Sequence, residues 1–199
     1  MASSPVARAP GPRFADALQF AAQAHATQTR KGKSTPYVAH LLAVAALVIE
    51  HGGDEDTAIA ALLHDAVEDQ GGRPMLERIR QRFGEKVAGI VLECTDAEVV
   101  PKPPWEERKR AYVAAIPRKS DEGRLVSLAD KVHNAREILE DYRQDGEALW
   151  GRFNGGRKGT LWYYRALADA FRGRTPDRLW KQLEEAVVEL ERLAGTQAS

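Results

Sequence analysis

The stretch Ala60-Ala61-Leu62-Leu63-His64-Asp65-Ala66-Val67-Glu68-Asp69 sets four ionisable groups into an otherwise apolar helical pattern. An unpaired charge buried on such a face costs on the order of several kcal/mol, and a divalent cation is the simplest partner that removes the cost. Two further candidates stand elsewhere: His40, near the start of an apolar run, and Asp130, within Leu128-Ala129-Asp130-Lys131-Val132-His133-Asn134. Imidazole nitrogen and carboxylate oxygen without thiolate suit manganese, iron, zinc or magnesium, and two His with two Asp leave coordination positions for water and substrate. Such an arrangement belongs to catalysis. Adjacent helical residues point about 100° apart, so His64 and Asp65 can share an ion only by flanking it at a helix face or terminus.

Helical periodicity supplies the elements that must hold these groups. It predicts helices over 14–26 and 39–49, a third over about 55–68 capped by Asp54 and ended by Gly71-Gly72 and Pro74, and further ones over about 75–83 and 85–96. After the loop Pro101-Lys102-Pro103-Pro104 come helices over 105–115, 125–142, 160–172 and 176–193, with 151–159 a Gly-rich basic connection. No alternating run demands a sheet. The expectation is an all-α bundle of about eight to ten helices forming one domain over 13–196, preceded by a disordered tail over 1–12.

Composition narrows the function classes. Lys+Arg and Asp+Glu are both 29, so the net charge of zero argues against nucleic acid as a partner, and any phosphate recognition is local. A single cysteine, Cys94, excludes intrachain disulfides and thiolate-rich zinc sites and suits a reducing cytoplasm; its ordinary role is that of a small buried residue. The Pro/Ala/Ser-rich N-terminus lacks a signal sequence, and the apolar run over 41–49 is too short to span a bilayer, so no membrane partner is expected. Self-association is left open.

In order and spacing, five segments resemble the HD-domain metal-dependent phosphohydrolases, and more narrowly the stand-alone hydrolases of the RelA/SpoT type. They are Arg30-Lys31-Gly32-Lys33-Ser34-Thr35-Pro36-Tyr37-Val38-Ala39-His40, Leu62 to Asp69, Glu93-Cys94-Thr95-Asp96, Glu107-Arg108-Lys109, and Leu128 to Arg136. The resemblance implies an HD-type helical fold and one divalent ion, typically manganese, held by His40, His64, Asp65 and Asp130. It implies that Glu68 and Asp69 orient and deprotonate the attacking water, a sensible division beside a metal.

For the substrate, the resemblance implies a guanosine nucleotide carrying a 3′-pyrophosphate, contacted by Arg30, Lys31 and Lys33 of the basic loop. Asn134 shares a helix face with Asp130 at the i, i+4 spacing and is placed against the nucleotide; Arg136 is less well placed and serves equally as a structural ion pair. Lys158 and Tyr164 lie in Arg157-Lys158-Gly159-Thr160-Leu161-Trp162-Tyr163-Tyr164-Arg165, where cations and aromatics allow a phosphate contact and base stacking. Tyr164 fits the family spacing; Tyr163 or Trp162 would serve in a shifted register. His25 reads as core, His51 as a helix-end residue, and His133 as an outer neighbour of the metal or a surface group.

Two departures from the family stand out. Leu41 follows His40 where proline is usual, and Glu93-Cys94-Thr95-Asp96 replaces the Gly-Val-Thr-Lys of the long enzymes. The length leaves no room for a synthetase domain, so alarmone synthesis is not expected. Two other readings compete: hydrolysis of another phosphorylated nucleotide such as NADPH, and a degenerate module that binds a nucleotide without turning it over.

Overall fold

Two helices with almost no polar surface form the centre of the molecule. In α2 (Val38–Glu50), His40, Leu41, Val44, Ala45, Leu47 and Val48 are all buried, and in α3 (Glu55–Leu63) every residue from Thr57 onward is buried. A helix apolar on all sides requires neighbours on all sides, and here α1 (Pro12–Ala24), α6 (Glu85–Cys94) and the long α8 (Asp121–Asp145) supply them. The start of α3 is fixed by Asp54, whose carboxylate accepts from Thr57 N at 2.9 Å and Thr57 Oγ1 at 2.6 Å. Ser120 caps α8 in the same way, accepting from Gly123 N at 2.9 Å, while its own N–H donates to Glu93 at 3.0 Å.

The computed structural model describes residues 10–96 and 103–196. Most of the tail expected over 1–12 lies outside them, as do Pro101 and Lys102 of the expected loop. Pro12, read as tail, instead opens α1, where its fixed φ suits the first turn. Among the described residues there are ten α-helices and no strand beyond one isolated bridge, Thr29 to Pro36, which closes the basic loop into a small hairpin. The remaining helices are α4 (Ala66–Asp69), α5 (Gly72–Phe83), α7 (Trp105–Ala115), α9 (Gly156–Phe171) and α10 (Asp177–Thr196).

Three boundaries differ from expectation. The helix expected over 55–68 breaks after Leu63, and a separate single turn, α4, follows, with Asp65 in the bridge region at φ −96°, ψ −6°. Nothing in the sequence there disfavours helix, so the break is imposed by tertiary packing. Gly71 (φ 134°) and Gly72 (φ 60°) take left-handed conformations that turn the chain out of α4, but Pro74, expected as part of the terminator, lies in the first turn of α5. The connection expected over 151–159 is shorter: a 3₁₀ segment ends at Arg152, and α9 begins at Gly156. The glycines there serve contact, since a Cβ on Gly155 would come within 2.6 Å of the Trp105 ring and one on Gly159 within 3.0 Å.

Lys119 lies inside this packing, 7% exposed, with its ammonium donating to Ser127 Oγ at 2.9 Å and standing 3.9 Å from the Tyr112 ring centre. Burial pushes it down to about 8 from its ordinary 10.5. Below that value folded and unfolded chains both carry the charge, and the full burial cost is felt. Between about 8 and 10.5 the unfolded chain still holds a proton that the folded chain has lost, so stability rises with pH. Relative to a Lys119→Met variant, the melting temperature of the wild type is therefore expected to improve as pH goes from neutral to alkaline; a constant difference in thermal melts would contradict this.

Candidate metal centre and nucleotide cavity

Because α3 stops at Leu63, His64 and Asp65 leave regular helix and turn toward the same point. His40 reaches it from the first turn of α2, and Asp130 from the middle of α8. His40 Nε2 lies 3.5 Å from Asp65 Oδ2 and 3.3 Å from Asp130 Oδ1, and His64 Nε2 lies 3.0 Å and 3.6 Å from the same two oxygens. The donor atoms of His40, His64 and Asp65 all fall within 4.8 Å of one another, and Asp130 closes the group through its contacts with both imidazoles. These contacts lack hydrogen-bond alignment: both Nε2 atoms are buried without a hydrogen-bond partner. Ligands about 2.1 Å from one ion and roughly a right to tetrahedral angle apart stand about 3.0–3.4 Å from each other, so the four side chains fit a divalent cation.

The far side of each imidazole is also settled. His64 Nδ1 stands 2.8 Å from the Ala61 carbonyl oxygen, so Nδ1 carries a proton and Nε2 is the atom turned to the carboxylates, where a proton or a cation can sit. His40 Nδ1 stands 2.9 Å from His133 Nδ1. Burial, then the neighbouring His40 and Arg30, push His133 down to about 4, so it is neutral and can accept the proton of His40. The carboxylates are held as firmly. Tyr37 Oη donates to Asp65 Oδ2 at 2.6 Å, Lys131 Nζ to Asp130 Oδ2 at 2.6 Å, and Asn134 Nδ2 to Asp130 Oδ1.

Burial opposes ionisation of both Asp65 and Asp130, yet His64 beside the first and Lys131 beside the second keep each well below the usual carboxylate range. Burial likewise opposes a charge on His64, and Asp65 and Asp130 outweigh it, pushing His64 well above its ordinary value. The centre thus concentrates negative potential that a proton relieves on His64 and a divalent ion would relieve better.

Two adjoining cavities of about 240 Å³ each share Lys31, Asn134, Ile138, Phe153 and Tyr164, and they meet the centre through Lys131 and Asn134, which bond Asp130, and Tyr37, which bonds Asp65. Arg30 and Lys33 line one, and Lys109, Lys131 and Tyr163 the other. A larger cavity of about 770 Å³ opens at another face, between Gly53 and Thr175, and contains none of the candidate residues. Arg30 donates to Asn134 Oδ1 at 2.6 Å, tying the basic hairpin to α8, and Lys33 pairs with Glu137 at 2.8 Å and Asp141 at 2.7 Å. Glu68 accepts weakly from Asp96 N at 3.4 Å, and Asp69 accepts from Gln28 Nε2 at 2.8 Å. Both carboxylates belong to the single turn that begins directly after Asp65.

Two expected substrate contacts lie elsewhere. Arg136 is two residues beyond Asn134, far enough round α8 to point away, and donates to Gln182 on α10 at 2.9 Å. Lys158 is exposed and lines a separate cavity of about 450 Å³ together with Trp162, over which Arg110 stacks at 4.6 Å. Tyr163 and Tyr164 both line one of the paired cavities, Tyr164 lines the other as well, and Trp162 lines neither. The sequence reading missed Tyr37, Lys109 and Lys131. Tyr37 stands three residues from His40 and Lys131 one from Asp130, a proximity that was the available signal, whereas Lys109 is remote in sequence from every candidate ligand. Lys109 is half-buried, anchored to Asp96 at 2.5 Å, and pushed down by desolvation and then by Lys131. Burial opposes a charge on Lys131 too, but Asp130, by contrast, holds Lys131 well above its ordinary value, and the two ammonium groups lining one cavity form a site for an anion.

The family model described as HD domain matches residues 17–161. The chain is 44% identical over 126 residues to the guanosine-3′,5′-bis(diphosphate) 3′-pyrophosphohydrolase MESH1 of Xenopus tropicalis, a match covering 62% of this chain and 68% of that one. To the Homo sapiens protein of the same name it is 40% identical over 126 residues, with the same coverage. A solved structure described as a metazoan orthologue of SpoT that hydrolyses ppGpp superposes with a TM-score of 0.75 at 31% identity, covering 95% of this chain and 99% of that one. The chain belongs to the HD-domain family.

Calorimetric titration with Mn²⁺ is expected to show one site, with His64→Ala abolishing measurable binding. Tyr37→Phe, which removes only the hydroxyl that holds Asp65, is expected to weaken it about 10–100-fold. Undiminished affinity in His64→Ala would remove this group as the metal centre.

Proposed function

We propose that the protein is a metal-dependent phosphohydrolase that removes the 3′-pyrophosphate of guanosine tetra- or pentaphosphate, with residues 13–196 as one catalytic unit. The observation that carries this reading is the convergence of buried His40, His64 and Asp130 with half-buried Asp65 beside a cavity lined by lysines and tyrosines. The activity printed for the relatives supports the same substrate. The proposed ion is manganese, held by His40, His64, Asp65 and Asp130; when bound, such an ion supplies Lewis-acid stabilisation of phosphoryl charge and makes water more acidic. A chain with one cysteine and, among its described residues, no helix long and apolar enough to cross a membrane suits the cytoplasm.

In this reading the nucleotide occupies the paired cavities, its base against Tyr164 and the Arg30 hairpin. Its phosphates face Lys31, Lys109 and Lys131, whose charges offset the negative charge that must be brought in with the substrate. Water attacks the phosphorus next to the ribose 3′ oxygen, the bond to that oxygen breaks, and pyrophosphate leaves. Glu68 takes the proton of the attacking water, and Asp69 orients it. Lys109 lies close enough to feel the charge of Glu68, which keeps base and phosphate site in register.

Incubating metal-loaded protein with guanosine tetraphosphate is expected to release pyrophosphate, and Glu68→Ala to lower kcat by about 10²–10⁴-fold. A panel of other phosphorylated nucleotides, NADPH included, tests the substrate. Turnover of one of these with none of guanosine tetraphosphate would overturn the substrate assignment, and full activity in Glu68→Ala would overturn the assigned base.

A further inference from the structure

We propose that Gln28, in the loop between α1 and the basic hairpin, is a positioning residue for Asp69. The proposal deepens the reading of Asp69 as the group that orients the attacking water, and rests on it. Asp69 is the exposed last residue of a single-turn helix, so neither packing nor a long helix holds its side chain. The Gln28 amide restrains it across the fold, its Nε2 donating to Asp69 Oδ2 at 2.8 Å.

The amide is itself fixed from its other end. Its Oε1 accepts from His25 Nδ1 at 2.7 Å and from Gln70 Nε2. Turning the amide over would set its NH₂ group against these donors and its oxygen against a carboxylate, so only one orientation satisfies all three neighbours. His25 is 3% exposed and stacked on Tyr37, with ring centres 5.2 Å apart and planes at 16°. Tyr37 in turn donates to Asp65. One packed unit of His25, Gln28, Tyr37 and Gln70 therefore sets both a metal-binding carboxylate and the water-orienting one, and fixes the spacing between them.

The test uses the full chain loaded with Mn²⁺ and guanosine tetraphosphate, or whichever nucleotide the panel shows to be turned over. Gln28→Leu is expected to lower kcat about 10–100-fold, with KM and Mn²⁺ affinity within about threefold of wild type. Added to Asp69→Asn, it should cause no further loss, since both changes remove the same function. Gln28→Glu keeps the shape, sets a second carboxylate against Asp69, and should move the acidic limb of the pH profile upward. Normal kcat in Gln28→Leu beside a severely impaired Asp69→Asn, or losses that multiply in the double variant, would overturn the positioning role while leaving Asp69 in place. Full activity in Asp69→Asn would instead remove the reading beneath it. A crystal structure of Gln28→Leu supplies a readout independent of turnover: an Asp69 carboxylate in the same single rotamer overturns the proposal.

Discussion

Two ionised carboxylates facing two imidazole nitrogens inside the bundle impose the constraint to which the rest of the fold answers. Asp65 and Asp130 are kept charged against the cost of burial, and His40 and His64 aim Nε2 at the space between them while their Nδ1 atoms are engaged elsewhere. Such a charge arrangement is stable only within a rigid frame, because an angstrom of drift would leave an acid buried and alone. The frame is the apolar pair α2 and α3 with α8 laid against both: α2 and α8 contribute His40 and Asp130 from within the helix, and His64 and Asp65 follow directly on the last residue of α3.

Rigidity in the frame is combined with one deliberate irregularity. A continuous helix from Glu55 to Glu68 would have splayed His64 and Asp65 apart, and the break after Leu63 brings adjacent residues to one point. It also starts a new turn in which Glu68 and Asp69 follow the metal-binding residues at once, so the groups that would act on water are carried by the same short segment as the group that would hold the ion. The backbone at Asp65 lies in a sparsely populated region, as residues at functional sites often do.

Much of this was legible in the sequence, and what was not has identifiable causes. Helices reveal themselves through periodicity, and ionisable residues interrupting an apolar face reveal a centre, so His40, His64, Asp65 and Asp130 could be picked out together. The break at His64 could not, because neither glycine nor proline marks it and the forces that impose it come from distant chain segments. Gly155 and Gly159 read as loop residues, since their part in the packing depends on the Trp105 ring that covers them. Arg136 was drawn toward the site by family likeness, although six residues after Asp130 is the wrong side of a helix. Lys109 arrives from α7 across the fold, a proximity that no local pattern encodes.

The pairing of Lys33 with Glu137 and Asp141 bears on how a polyanion enters. That lysine is already matched by acids of the same molecule, and the whole chain is electrically balanced, so net charge gives approaching phosphates no long-range attraction. Capture becomes an exchange in which the guest displaces resident carboxylates from the lysine at close quarters. Long polyanions that could touch only the rim would gain nothing from that swap, whereas a compact, multiply charged guest small enough to pass inside would.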